Sequence, residues 1–86
     1  MFLLIILYPF NMEMNMAIAQ VIKELRKEKS ISQEKLADAI DSHQVYISEI
    51  EMGKKIPSIT ILHNIAICFD MSLTKLIERI ESKLDT

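Results

Sequence analysis

The near absence of chain-breaking residues constrains the fold of this chain more than any other feature of its sequence. One glycine and two prolines are distributed over 86 residues. Tight β-turns depend on such residues, so a fold of many short strands has little turn material here. Half of the residues are apolar, and the composition leans towards helix formers. We therefore expect a single all-α domain.

Apolar residues recur at three- and four-residue spacing in five stretches, and this periodicity predicts five amphipathic helices. We expect the helices at about residues 15–29, 33–40, 44–52, 58–69 and 72–84. Ser32, Ser58 and Ser72 are favourable N-caps for three of them, and Gly53 is a favourable C-terminal cap for the third. The residues expected to form the core faces of the first four helices are Ile18, Val21, Ile22, Leu25, Leu36, Ala37, Ile40, Tyr46, Ile47, Ile50, Ile59, Leu62, Ala66 and Phe69.

Charge and cysteine content restrict the classes of function. The net charge is −2, and the charges of residues 23–55 cancel, so any basic surface must come from the spatial arrangement of side chains. Cys68 is the single cysteine, lies in an apolar run and is expected to be a buried, inert thiol in a reducing cytoplasm. We find no cluster of metal-ligating residues, catalytic motif or glycine-rich loop, and we expect no metal, no cofactor and no enzymatic activity.

Residues 1–10, MFLLIILYPF, are almost wholly apolar and leave several interpretations open. The stretch is too short to span a bilayer and lacks the basic residues of a signal peptide, so we expect no membrane association. It is either a non-native extension before one of the later methionines or a β-arm that pairs with the same arm of a second subunit. We therefore divide the chain into residues 1–14, an apolar arm or extension, and residues 15–86, the helical domain.

The second and third predicted helices are joined by the three residues Asp41, Ser42 and His43, which is the arrangement of a helix-turn-helix. The local sequences strengthen this interpretation. S-Q-E-K-L-A at 32–37, Y-I-S-E-I-E at 46–51, G-K-K-I-P-S at 53–58 and L-T-K-L-I at 73–77 resemble the Cro and phage-repressor class, the XRE family. The resemblance covers about residues 18–78 and implies a five-helix DNA-binding domain that acts as a dimer on palindromic operators.

The resemblance also implies roles for individual residues. Those at base-reading positions of the third helix are His43, Gln44, Val45 and Glu49. Those at positions near the DNA phosphates are Gln33, Ser48, Lys54 and Lys55. Arg26 and Glu51 resemble a semi-buried ion pair that ties the first helix to the third. Among these, the Gln44 amide has the donor and acceptor needed to bind the N6 and N7 edge of adenine.

Several positions depart from the family pattern. Asp41 stands where the family usually has glycine in the turn, Ser42 replaces a small apolar residue, and His43 replaces a serine or threonine cap. Basic residues are common where this chain has Glu49 and Met52. These departures weaken the electrostatic attraction to DNA and leave the preferred DNA sequence open.

The fifth helix carries an apolar stripe longer than one thin core needs, and we expect its distal part to form a homodimer interface with Ile67. The expected interface residues are Ile67, Leu73, Leu76, Ile77, Ile80 and Leu84. The function we expect is transcription regulation through double-stranded DNA. The alternative is a protein-interaction module of the same fold, such as an antitoxin that binds a toxin.

Overall fold

Five helices account for most of the structure, a computed structural model that describes residues 13–84. They are α1 (Met14–Lys29), α2 (Gln33–Ala39), α3 (Gln44–Glu51), α4 (Ile59–Cys68) and α5 (Leu73–Leu84). No strand occurs within residues 13–84, so the expected all-α, five-helix fold is confirmed. The N-terminal arm, including the β-arm interpretation, lies outside the described residues.

Serine side chains begin three of the helices. The hydroxyls of Ser32, Ser58 and Ser72 accept hydrogen bonds from backbone N–H groups three residues later, at 3.0–3.1 Å. Each bond satisfies an N–H group that the first helical turn leaves without a partner. The predicted starts of α2, α4 and α5 are therefore those of the structure.

The first four helices end in left-handed backbone conformations, and three of these ends use residues other than glycine. Ser30, Asp41 and Asp70 have φ of 57°, 56° and 57°, and Gly53 has φ of 73°. Asp41, which stands where the family usually has glycine, thus takes a left-handed conformation in the turn after α2. Aspartate tolerates this region better than most residues because its short polar side chain bonds locally.

The core lies where α1 meets α3 and α5, with α2 and α4 closing it from the sides. Its largest fully buried side chains are Val21, Ile22, Leu36, Ile47, Ile50, Ile65 and Leu76. One predicted core residue is wrong, because Ile59 is 59% exposed at the first position of α4. The packed part of α4 begins one turn later, at Leu62, and Ile65 is buried in that stripe instead.

Two groups of ion pairs hold the C-terminal helix to the first. Arg79 contacts Glu28 and Glu24, and Lys83 Nζ lies 2.9 Å from Glu24 Oε2.

No single helix in residues 13–84 is both long enough and apolar enough to cross a membrane. The α4–α5 pair reaches that length and composition only when its two helices, bent by 104° at their junction, are taken together.

Candidate nucleic-acid interface

The turn between α2 and α3 fixes how α3 is presented. Ser42 N–H donates to the Ala37 carbonyl at 2.8 Å, closing the turn around the left-handed Asp41. Ile47 and Ile50 on the inner face of α3 are fully buried and anchor the helix to the core. The opposite face of α3 is therefore held outward on a rigid support.

Most of the expected DNA-contacting residues share one shallow depression of about 490 Å³ on this outward face. Its lining residues are Gln33, Gln44, Val45, Ser48, Glu49, Met52 and Lys54. Val45 is 69% exposed, as a side chain that touches a thymine methyl group would have to be. The structure thus brings together six of the eight residues that the sequence placed at DNA-contacting positions.

The other two expected contacts, His43 and Lys55, flank the depression. His43 is exposed at the N-cap of α3, and its side chain makes no capping hydrogen bond, so its imidazole is available for other contacts. Lys55 Nζ lies 3.5 Å from Glu49 Oε1. This pair neutralises part of the negative charge that Glu49 would otherwise present to DNA phosphates.

A buried ion pair is hydrogen-bonded to Gln33, one of the residues that line the depression. Arg26 Nε and Nη2 donate to the two carboxylate oxygens of Glu51 at 2.5 and 2.8 Å, and Arg26 Nη1 donates to the Ile31 carbonyl at 3.0 Å. The Glu51 side chain is 3% exposed and that of Arg26 is 15% exposed. The structure therefore brings together the two residues expected to tie α1 to α3.

The ion pair is connected to the surface by two glutamines. Gln33 Nε2 donates to Glu51 Oε1 at 3.1 Å, and Gln44 Nε2 donates to Gln33 Oε1 at 3.4 Å. Burial alone would raise the pKa of the Glu51 carboxyl, but the hydrogen bonds from Arg26 and Gln33 outweigh burial and hold the pKa below its usual range. Glu51 is consequently ionised at neutral pH.

Two features of this surface were missed in the sequence. Met52 lines the depression and is 52% exposed, although the sequence marked it only as a departure from a basic residue. The spacing of Val45, Ser48 and Met52 at three and four residues would have placed all three on one helical face.

Asn15 Nδ2 donates to the Gly53 carbonyl at 2.6 Å and so ties the loop of Lys54 to the start of α1. That contact joins residues 38 apart, and no local pattern indicates it.

The expected dimer interface is corrected for two of its residues. Leu76 and Ile80 are 0% and 2% exposed within one protomer, because α5 packs them against α1 and α4. Leu73, Ile77 and Leu84 are half-buried and pack against the same core. Ile67 is 61% exposed and, of the expected interface residues, is the most accessible to a second subunit.

Comparisons with known proteins agree with this geometry. A family model described as helix-turn-helix matches residues 22–76. The ImmF control region 10 kDa protein of Bacillus phage phi105 is 37% identical over 59 residues, which are 69% of this chain and 66% of that protein. The chain thus spans just under two thirds of the length of this relative.

Solved structures share the fold. The clp gene regulator ClgR from Corynebacterium glutamicum matches with a TM-score of 0.81 at 20% identity, over 87% of this chain and 80% of that one. The restriction-modification controller protein C.Esp1396I, a tetramer in complex with its natural 35 base-pair operator, matches with a TM-score of 0.77 at 27% identity. That match covers 87% of this chain and 99% of the controller protein.

Proposed function

Since the chain belongs to the helix-turn-helix family of transcription regulators of the Cro and phage-repressor type, we propose that it binds operator DNA with α3 in the major groove. The observation that supports this most directly is the depression on the outward face of α3. It gathers two amides, a hydroxyl, two apolar side chains, a carboxylate and a lysine from the start of α2, from α3 and from the residues that follow α3. These are the groups that read base edges and contact phosphates.

Base reading and phosphate contact are assigned to different residues. We assign base contacts to His43, Gln44, Val45 and Glu49, which lie on the exposed side of α3 or at its start. The phosphate contacts are assigned to Gln33, Ser48, Lys54 and Lys55. Glu49 would accept a hydrogen bond from cytosine N4, and its pairing with Lys55 lowers the repulsion from nearby phosphates.

The protein is proposed to act as a homodimer. A two-fold axis would place two copies of α3 about 34 Å apart, one turn of B-DNA, and the operator would then be a palindrome. Ile59, His63 and Ile67 are exposed at four-residue spacing along α4, so they form an exposed face that includes the expected interface residue Ile67. The operator-bound tetramer of C.Esp1396I supports this mode of assembly.

The activity is proposed to be binding alone, without catalysis or a cofactor, in the cytoplasm where the operator DNA lies. Support comes from the family, whose members regulate transcription through DNA. The control region named for the phage relative fits the same role. Occupation of a promoter would then either exclude or recruit the polymerase.

The test is a binding titration of the full chain against DNA that flanks its own gene and against a scrambled duplex, at several salt concentrations. We expect tight binding to one palindromic site. Lys54→Ala should weaken binding to every duplex and lower the slope of log K against log salt by about one. Lys75→Ala is a matched control, because Lys75 is an exposed lysine on α5, and we expect it to leave the slope unchanged.

The alternative is a protein-interaction module such as an antitoxin. The observation in its favour is the exposure of Ile56 and Ile67, at 62% and 61%, where the family pattern usually has polar residues. Failure of the native protein to bind any duplex at physiological salt would replace the main proposal by this one.

A further inference from the structure

A continuous series of hydrogen bonds runs from the buried ion pair to the base-reading surface. Its members are Arg26, Glu51, Gln33 and Gln44, contributed by the first three helices. Each link joins residues at least 11 positions apart in the chain. The series ends at the exposed amide of Gln44, which lines the depression on α3.

The direction of every hydrogen bond in this series follows from the charge of Glu51. An ionised carboxylate only accepts hydrogen bonds, so Gln33 must turn its Nε2 towards Glu51. The Gln33 Oε1 then faces the surface, and because this oxygen only accepts, Gln44 must turn its Nε2 towards Gln33. Arg26 has no acceptor atoms and keeps Glu51 ionised through two hydrogen bonds.

We propose that Glu51 is a positioning residue for base reading, whose carboxylate sets the amide orientation of Gln33 and, through it, of Gln44. Gln44 then presents its Oε1 and the second hydrogen of its Nε2 to the major groove. This inference rests on the proposed DNA-binding function and adds a source of sequence preference that does not itself touch DNA.

The orientation selects adenine over guanine at one position of each half-site. Adenine offers an acceptor at N7 and a donor at N6, which match the free donor and acceptor of the held Gln44 amide. Guanine offers acceptors at both N7 and O6, and these match two donors. An amide that is free to rotate could donate both hydrogens of its Nε2 to guanine. The held amide instead donates one of these two hydrogens to Gln33 Oε1.

The experiment selects preferred sites for the full chain from a pool of random-sequence duplexes of about 30 base pairs. The native protein is expected to enrich a palindrome with an adenine favoured at least about fivefold at one position, and Gln44→Ala should erase the preference at that position. The double variant Arg26→Met with Glu51→Met replaces the ion pair by apolar side chains and leaves Gln33 no acceptor at position 51, so it should lower the same preference to less than twofold while the other positions keep theirs. A purely structural role for Glu51 would weaken all positions together.

Two further variants complete the test. Gln33→Met interrupts the series while it leaves the Arg26–Glu51 pair in place, and it should abolish the same single preference. This variant decides the outcome if circular dichroism shows that the Arg26→Met, Glu51→Met double variant does not fold. Glu24→Gln removes a carboxylate from α1 that pairs with Lys83 away from the depression, and it should keep the native site.

The outcomes separate this inference from the proposed function. If the native protein enriches no sequence, the proposed function fails. If it enriches a site and the folded Arg26→Met, Glu51→Met double variant or a folded Gln33→Met variant keeps the adenine preference, the function stands and the positioning role of Glu51 is overturned. A native site without an adenine at the position that Gln44→Ala erases overturns the role as well.

Discussion

At the scale of single residues, Glu51 shows how a buried charge is kept in a small domain. The residue is 5% exposed, and its oxygens accept from Arg26 and from Gln33. Burying a carboxylate without donors would be costly, and these bonds offset the loss of water. The same contacts connect the stability of the domain to Gln44, the side chain proposed to face DNA.

Removing the cation of this pair should strongly destabilise the protein. In the Arg26→Met variant, Glu51 would lose its charged donor, with an expected cost of about 3 kcal/mol. For a domain of this size the melting temperature should fall by more than about 10 °C. Arg79→Met is the comparison, because the Arg79 side chain is 31% exposed and its loss should produce a much smaller shift. Equal shifts in the two variants would contradict the prediction.

Acid should weaken the fold through the same carboxylate. The hydrogen bonds from Arg26 and Gln33 outweigh the opposing effect of burial and lower the pKa of Glu51 in the folded state. The unfolded chain therefore takes up this proton at a higher pH than the folded one. The contribution of Glu51 is present above its unfolded pKa of about 4.3 and is lost as pH falls through the folded pKa.

Urea unfolding at pH values from 7 down to about 3 measures this effect. The free energy of unfolding should decline through the acid range in the native protein and decline less steeply in Glu51→Gln. Glu24, whose pKa is lowered chiefly by its hydrogen bond with Lys83, still contributes to the pH dependence of the free energy of unfolding in that variant. If the free energy of unfolding declined equally with pH in the two proteins, Glu51 would not contribute to the loss of stability in acid.

At the scale of elements, the loop after α3 is held by the start of α1. Gly53 adopts φ of 73°, and its carbonyl accepts from Asn15. A Cβ at this position would collide with Sδ of Met16. The glycine therefore serves both the left-handed end of α3 and the close approach of α1, and it sets where Lys54 begins the following loop.

Gly53→Ala should lower the free energy of unfolding by about 1–2 kcal/mol from the backbone conformation alone, and the contact with Met16 adds to this loss. In Gly53→Ala with Met16→Ala, the steric part should disappear while the backbone part remains. The two parts separate in a double-mutant cycle measured by urea unfolding. A cycle without coupling would show that Met16 moves aside freely.

At the scale of the whole molecule, two apolar sets on α4 and α5 have different roles. Leu76 and Ile80 are buried in the protomer, whereas Ile59 and Ile67 are exposed on the face of α4 that also carries His63. An exposed apolar face in a domain of this size is expected to be covered by a partner. We assign that partner to a second copy of the chain.

Sedimentation distinguishes the two sets. Ile67→Glu should give folded monomers, because the change lies on the exposed face of α4. Ile80→Glu should unfold the protein, because it places a carboxylate in the core without a donor. Circular dichroism supplies the check on folding. A dimeric Ile67→Glu protein would place the interface elsewhere, and a folded Ile80→Glu monomer would place Ile80 in it.

The helices and the residues gathered on the outward face of α3 were predictable because their signals are local. Helical periodicity, serine caps and the spacing of the turn residues depend on neighbours within a few positions, and these determine α1 to α5 and the outward face of α3. The resemblance of short motifs to a known family supplied the roles expected for Gln33, Gln44 and Lys54.

Tertiary packing decided the features that depend on distant parts of the chain. Periodicity marks an apolar stripe but not the element that covers it. Ile59 was therefore expected in the core but is exposed, and Ile80 was expected at a dimer interface but is buried within the protomer. The bond of Asn15 with Gly53 and that of Gln33 with Glu51 join residues 38 and 18 positions apart. These contacts exist only once the helices have packed, because burial and hydrogen-bond partners are properties of the assembled core.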